Sequence, residues 1–482
     1  MSVNTNDHTW PDGRPATVGA MRRPSRLRLG ALALAGALAL GVIATRQSHA
    51  ATPVVSDSGI VCTSDPAYQA GTSHTQTFVL TARTGHITAP DGNTIFMWGF
   101  GLGKGDLQYP GPTLCVNEGD TVRIVLRNTL AEDTSIVFPG QDNVLAGGVP
   151  AGPQFDASHR LTSLSNVAPA SGGNVTYSFT ASKPGTYLYE SGSDQAKQIQ
   201  MGLFGALIVR SHMDTFDPGS NTWTRYAYDD ARTRYNPGEE FLALMSDVDA
   251  GLHQAVERGL PFDIKNLHQA YWMINGRSFP DTIAPNNAIW LPSQPQNALW
   301  HTRALLAGST GAPALVRYVN VTEVGHPFHP HGNHGRVIGQ DARPLVEPGG
   351  GDYTYEKFAI RVGAGQTVDA LYKWTDVDNW WSTLDANGLP HARDTANPTP
   401  PPTLPAVPAL ENLLFKGNET WYSGSPWLGQ KAALPVGVTS YNQCGEFYQV
   451  AHSHALNEVT NYGAAMGGML TLWRIDPPGG CS

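Results

Sequence analysis

The sequence predicts an all-β protein of two β-sandwich domains, on three observations. Glycine (52) and proline (36) are abundant while charged residues make up only 15% of the 482 residues, which suits turn-rich sheets better than long helices. Short runs alternate polar and apolar residues with the period of two that a half-buried strand imposes. Turn formers such as Gly111-Pro112, Lys183-Pro184-Gly185 and Asp217-Pro218-Gly219 break those runs at the spacing of sandwich strands.

In chain order, Thr75–Ala82 opens the first unit. Thr113–Val116, Thr121–Leu126, Val175–Phe179, Thr186–Tyr189 and Gly205–Val209 follow as strands. This places a first domain at 75–212, after an N-terminal extension at 51–74. Residues 213–236 are polar and turn-rich and read as a linker. A second domain at 237–476 takes Glu240–Met245, Leu315–Val321, Gln366–Leu371 and Gly468–Ile475 as strands, with a tail at 477–482. A proline-rich insertion at 395–410 reads as a stiff exposed loop. Only Ala250–Arg258 has helical character.

Residues 1–50 read as a secretory signal. Arg22, Arg23, Arg26 and Arg28 precede an uncharged small and apolar run, Leu29–Ala44, and Ser48-His49-Ala50 offers a cleavage site. The run is short for a membrane span, so the expected product is periplasmic or secreted and free of the membrane after cleavage. Arg22-Arg23 hints at twin-arginine export, with a poor match beyond it. The chain carries a net charge of −9. Residues 51–482 carry −13, from 25 basic against 38 acidic side chains, which disfavours nucleic acid and anionic lipid as partners. Cys62, Cys115, Cys444 and Cys481 are even in number, so one or two disulfides are expected, with three pairings open.

The chemistry-bearing pattern is a pair of His-x-His runs, His329-Pro330-His331 and His452-Ser453-His454. Residues two apart on a strand face the same way. Two neighbouring strands of this kind would gather four imidazoles into one patch able to hold copper or zinc. The plainer alternative is a set of surface histidines near sheet ends. Whether His326 joins the patch is open, because it lies an odd number of residues before His329 and Pro327 disturbs the strand. His334 follows a Gly-Asn turn and reads as exposed.

These motifs resemble the multicopper oxidases, whose domains are cupredoxin-type Greek-key sandwiches. His326-Pro327-Phe328-His329-Pro330-His331-Gly332 is similar to that family's His-Pro-x-His-x-His-Gly motif. His452-Ser453-His454 is similar to its closing His-Cys-His segment. Gly111–Leu114, Glu118–Val122, Lys183–Tyr187 and Met201–Val209 are similar to its first domain, and Asn275–Thr282 to the start of a later one.

The resemblance implies ligands that this chain lacks. The family's first domain supplies four histidines from His-Trp-His-Gly and His-Ser-His, where this chain has Val137-Phe138-Pro139-Gly140 and Glu190-Ser191-Gly192. Ser453 stands where the blue copper thiolate is required, and Glu458 where a further histidine is expected. Only His326 remains of the blue-centre ligands. Laccase-type turnover is therefore not expected. What remains is a site for one copper ion, or zinc, on His329, His331, His452 and His454, with His326 and Glu190 as additional candidate ligands. Glu190 is also the candidate general base toward a bound water, its alternative being an ordinary surface carboxylate. Glu458, on a turn past the strand, reads as a solvated charge, and Met201 as core.

Three functions follow. The first is an exported copper protein with a mononuclear non-blue site and oxidoreductase activity on a small molecule or metal ion. The second is a copper-free scaffold, as in a family member that serves cell division. The third is copper binding or storage in the periplasm. Two-domain relatives imply a homotrimer.

Overall fold

The computed structural model describes residues 58–64, 74–306, 309–347, 349–376 and 447–476. The signal segment, the proline-rich insertion, the C-terminal tail, Cys444 and Cys481 lie outside these residues.

Two sandwiches account for most of the strands. In the first, a six-stranded sheet runs in the order Thr94–Leu102, Thr75–Thr88, Thr121–Asn128, Asn174–Thr180, Leu145–Ala146, Val149–Pro150. Facing it is a three-stranded sheet of Gly185–Glu190, Phe204–Arg210 and Leu114–Asn117. Thr121–Asn128 alternates in burial as its sequence does, with Val122, Ile124 and Leu126 in the core beside Phe78, Tyr177 and Leu207. Cys62 and Cys115 form a disulfide, with Cα atoms 5.6 Å apart.

The second sandwich sets the sheet Tyr271–Ile274, Glu240–Val248, Ala314–Asn320, Thr367–Tyr372, Gly335–Gln340, Arg343–Pro344 against another of Trp300–Arg303, Leu470–Asp476, Phe447–Ser453, His326–Pro330, Ile360–Val362. Trp300, Tyr318, Phe328, Tyr372 and Trp473 pack between them. Trp300 and Trp473 meet edge to face at 5.0 Å.

Glu240–Val248 is buried along its whole length. Its alternate residues serve two cores. Phe241, Ala243 and Met245 face the second sandwich, while Leu242, Leu244 and Val248 join Phe204, Ala206 and Leu188 between the sandwiches. This double covering explains an apolar run without strict alternation.

A charged set lies buried between the sandwiches. Arg317 Nε donates to Glu240 Oε1 at 2.6 Å, and Arg210 Nη1 donates to the same oxygen. Thr186 Oγ1 and the Tyr228 hydroxyl donate to Asp369 at 2.6 and 2.7 Å. Burial acts to raise Glu240, but the two guanidinium groups outweigh it and hold the carboxyl at about 2.

The segment 213–236 is more ordered than a polar linker. It forms Thr215–Asp217, Thr222–Tyr226 and Arg234–Tyr235, a small antiparallel sheet. Tyr228 and Tyr235 are buried with Leu315, Ile338 and Leu371, so two aromatic anchors tie the segment to the second sandwich. The helix Ala250–Glu257 is present and capped by Asp249, whose side chain accepts from the Gly251 and Leu252 amides. Among the described residues, no helix is long and apolar enough to cross a membrane.

Candidate metal centre

The two His-x-His runs lie on neighbouring antiparallel strands. His329 sits directly opposite His452, Phe328 opposite Ser453, and Pro330 opposite Ala451. The pleat then divides the strand His326–Pro330 into two faces. His326, Phe328 and Pro330 are buried, while Pro327 and His329 are half-buried on the other face. His331, His452 and His454 share that outer face, with His454 exposed.

On the outer face the four imidazoles come together. Ring centroids are 4.6 Å apart for His329 and His331, 5.1 Å for His331 and His452, 5.4 Å for His329 and His454, and 5.8 Å for His452 and His454. His331 Nε2 and His452 Nε2 are 3.0 Å apart. His329 Nδ1 lies 2.6 Å from the Phe358 carbonyl oxygen, and His452 Nδ1 lies 2.6 Å from that of Ser453. A carbonyl only accepts, so in both rings Nδ1 carries the proton, and Nε2 of the neutral ring offers its lone pair. Backbone carbonyls orient metal-binding histidines in this manner. Burial first, and then the neighbouring imidazoles His452, His329 and His454, push His331 down to about 4. His452 is also lowered, mainly by burial. His331 and His452 thus favour the neutral form that binds a cation, while no three of the four rings bring ligand nitrogens within 4.8 Å of one another, so the rings must turn to meet on one ion.

The inner face of the same strands is closed. His326 Nδ1 donates to Glu458 Oε2 at 2.8 Å, and Ser453 Oγ donates to the same oxygen. His326 Nε2 lies 2.8 Å from Thr322 Oγ1. His326 is fully buried and points away from the other four histidines. Glu458 is 4% exposed, so it is an interior hydrogen-bond acceptor and not the solvated charge its turn position suggests. A thiolate copper centre does not fit here. Ser453 offers a hydroxyl already donated to Glu458, and both nitrogens of His326 are engaged.

In the first sandwich, Val137 and Glu190 are bridged as neighbours. Gly192 lies against Val137 and Ser135, where an added Cβ would approach Val137 Cγ1 to 2.8 Å and Ser135 Oγ to 2.9 Å. No imidazole could stand at 192 without rearrangement. Ser135, Ser163 and Ser193 join hydroxyl to hydroxyl at 2.8 to 3.1 Å. Gln198 accepts from Thr134 and Ser191, and Met201 is core. Glu190 does not complete the histidine patch. It lines a cavity of about 320 Å³ together with Ser246, Asp247 and Thr322, and none of the four histidines lines it. Burial raises Glu190 to about 7. His334 is exposed at the strand end. A further group, Glu118, His212 and Asp229, brings its ligand atoms within 4.8 Å of one another. There the imidazole is ion-paired to both carboxylates, at 2.6 and 3.2 Å.

Comparison with known proteins bears on the first sandwich most directly. A family profile described as multicopper oxidase matches residues 105–214. This stretch is similar to a multicopper oxidase domain. A multicopper oxidase, VdtB, of Byssochlamys spectabilis is 38% identical over 23% of this chain and 15% of its own length. Laccase-12 of Arabidopsis thaliana is 26% identical over 55% of this chain and 39% of its own. The chain thus spans well under half of these relatives. The crystal structure of a blue copper oxidase from Nitrosomonas europaea aligns over 84% of this chain and 86% of its own, at 15% identity and a TM-score of 0.47. The fold itself is all-β, in two β-sandwiches, and the likeness in sequence is to multicopper oxidases.

Proposed function

We propose that this chain is an exported copper-binding protein that holds one non-blue copper ion on His329, His331, His452 and His454. The observation that carries the reading is the outer face itself. Four imidazoles gather there, and two of them, His329 and His452, are oriented by backbone carbonyl oxygens at Nδ1, which leaves Nε2 for a metal. Copper bound there would supply one-electron redox or Lewis-acid chemistry to a small molecule or metal ion. The protein's share is to orient the imidazoles, favour neutral His331 and His452, and leave His454 open to solvent. Zinc is the competing ion. Glu190, distant from the patch in its own cavity, is not assigned the general base.

Export fits the Cys62–Cys115 disulfide, which persists in a periplasmic or extracellular setting. The half-exposed patch also suits a homotrimer in which a second copy covers it. Metal analysis and electron paramagnetic resonance of periplasmic protein test the reading. The expected result is about one copper per chain with no intense blue colour. Less than about a tenth of an equivalent after copper loading would sink it.

The second reading is a copper-free scaffold. It is favoured by the closure of His326, Ser453 and Glu458 on one another, which removes the electron entry port. It predicts that His331→Ala with His454→Ala leaves folding and partner binding unchanged. Reversible copper storage is the third, and tight Cu(II) binding without turnover would select it.

A further inference from the structure

The disulfide Cys62–Cys115 lies beside a buried cation. Cys115 pairs with Ile208 across parallel strands, and Arg210 stands two residues further along, on the same face. Its Nη2 lies 3.3 Å from Cys62 Sγ and 3.9 Å from Cys115 Sγ. The other terminal nitrogen, Nη1, donates to the Tyr235 hydroxyl at 2.9 Å and to Glu240. Glu240 also accepts from Arg317, so one carboxylate serves two guanidinium groups. The Nη2 edge of Arg210 is turned to the sulfurs.

The two sulfurs differ in access. Cys115 is 5% exposed, whereas Cys62 is half-buried on the segment 58–64. That segment bridges the two sandwiches. In the first, the Thr63 amide donates to the Thr113 carbonyl at 2.7 Å and the Cys115 amide to the Thr63 carbonyl at 2.9 Å. Toward the second, the Ile60 amide donates to the Glu240 carbonyl at 2.9 Å, and the Gln296 side chain bonds to Gly59 and Val61. A neutral disulfide sulfur is a weak acceptor and makes little use of a guanidinium donor, while a thiolate makes much use of one. A neighbouring arginine lowers a thiol's pKa, and a thiol of lower pKa leaves a disulfide faster.

We propose that Cys62–Cys115 is a thiol–disulfide exchange site for a dithiol, with Cys62 as the attacked sulfur and Arg210 as the group that steadies the departing thiolate. The thiolate of the dithiol attacks Cys62 Sγ. A new S–S bond forms there as the Cys62–Cys115 bond breaks, and Cys115 Sγ leaves with the electron pair. The second thiolate of the dithiol then attacks its partner sulfur in the mixed disulfide and releases Cys62. The dithiol ends oxidised, and the two cysteines end reduced by two electrons. Protons shed by the dithiol pass to solvent, from which Cys62 and Cys115 take theirs up. Exchange cuts the covalent tie of the segment 58–64 to the first sandwich and leaves only its hydrogen bonds.

The test follows reduction of the full chain by dithiothreitol without denaturant. EDTA keeps copper out of the reaction and separates its outcome from that of the copper reading. Alkylation and mass spectrometry of the peptides carrying Cys62 and Cys115 give the rate. Arg210→Met should slow reduction at least about tenfold. The sign of the change is decisive, because an arginine that only holds the fold would, on removal, loosen the segment and speed reduction. An unchanged or faster rate overturns the proposal. Should the variant fail to fold, the wild type decides with a monothiol. After brief exposure to reduced glutathione and an acid quench, the glutathionyl group should sit on Cys62, with Cys115 open to alkylation. An adduct on Cys115, or no reaction until denaturant is added, overturns the proposal.

Discussion

The strands His326–Pro330 and Phe447–Ser453 carry two different outcomes on their two faces. Inside, His326 and Ser453 have closed on Glu458, and every polar group of the set has a partner. Outside, four imidazoles lie against one another. The same backbone register builds both. What marks the inner face is a buried carboxylate that accepts from both His326 and Ser453. The inner face gained a carboxylate and became a structural element. The outer face instead gathers imidazoles beside one another, the arrangement on which the proposed metal site rests.

The largest expected effect tests the inner face. Glu458→Ala leaves His326 and Ser453 buried without their acceptor, and should cost about 3 kcal/mol or more of stability. Chemical denaturation of wild type and variant measures it. A loss under about 1 kcal/mol would show that the inner set is not structural. The outer face should respond in the opposite sense. His331→Ala with His454→Ala should lower copper affinity about 100-fold, equivalent to about 2.7 kcal/mol, with stability changed by less than about 1 kcal/mol. Equilibrium dialysis against copper reads the first quantity and denaturation the second. Equal copper affinity in the variant would erase the distinction between the faces.

A milder change probes whether the inner face could revert. Ser453→Cys restores the sulfur that a blue centre needs. The thiol would still meet Glu458, and His326 would remain bonded to that carboxylate. After copper loading no intense visible band should appear, and stability should fall by about 1 kcal/mol through the weaker thiol donor. An intense band in the variant's spectrum would show that the inner set opens readily.

Much of this was legible in the sequence. Period-two alternation located the strands around Thr121 and Asn174, because one face of each meets a core and the other water. The two His-x-His spacings identified the outer face, since a pleat alone places residues two apart together. The odd spacing of His326 from His329 held the signal that it faces inward. The inner set was harder to read, because Glu458 lies beyond the strand and its burial depends on how the turn folds back. A signal existed nonetheless. His326 and Glu458 stand at two positions where the resemblance implies ligands of one site, and an imidazole and a carboxylate at such positions are candidates to pair. The packing of the segment 213–236 was hidden for a similar reason. Its composition is polar, and two buried tyrosines decide its placement.

Glu190 extends the comparison to the first sandwich and carries the smallest effect. Like Glu458, it stands where the resemblance places a ligand. Unlike Glu458, it has found no cation or donor, and burial raises it from 4.5 to about 7. A carboxyl raised on folding binds its proton more tightly in the folded chain. Its contribution is therefore most favourable below pH 4.5, declines as pH rises toward 7, and stays at its least favourable above that. The shift would correspond to roughly 3 kcal/mol if fully expressed, and the half-open cavity reduces this to about 1 kcal/mol. Glu190→Gln removes the ionisation and keeps the shape. The variant should match wild type at pH 4 and exceed it by about 1 kcal/mol at pH 8. Thermal unfolding at the two pH values measures the difference. If the variant is instead less stable at pH 8, Glu190 has a cationic partner after all, and the contrast with Glu458 becomes one of location and not of charge.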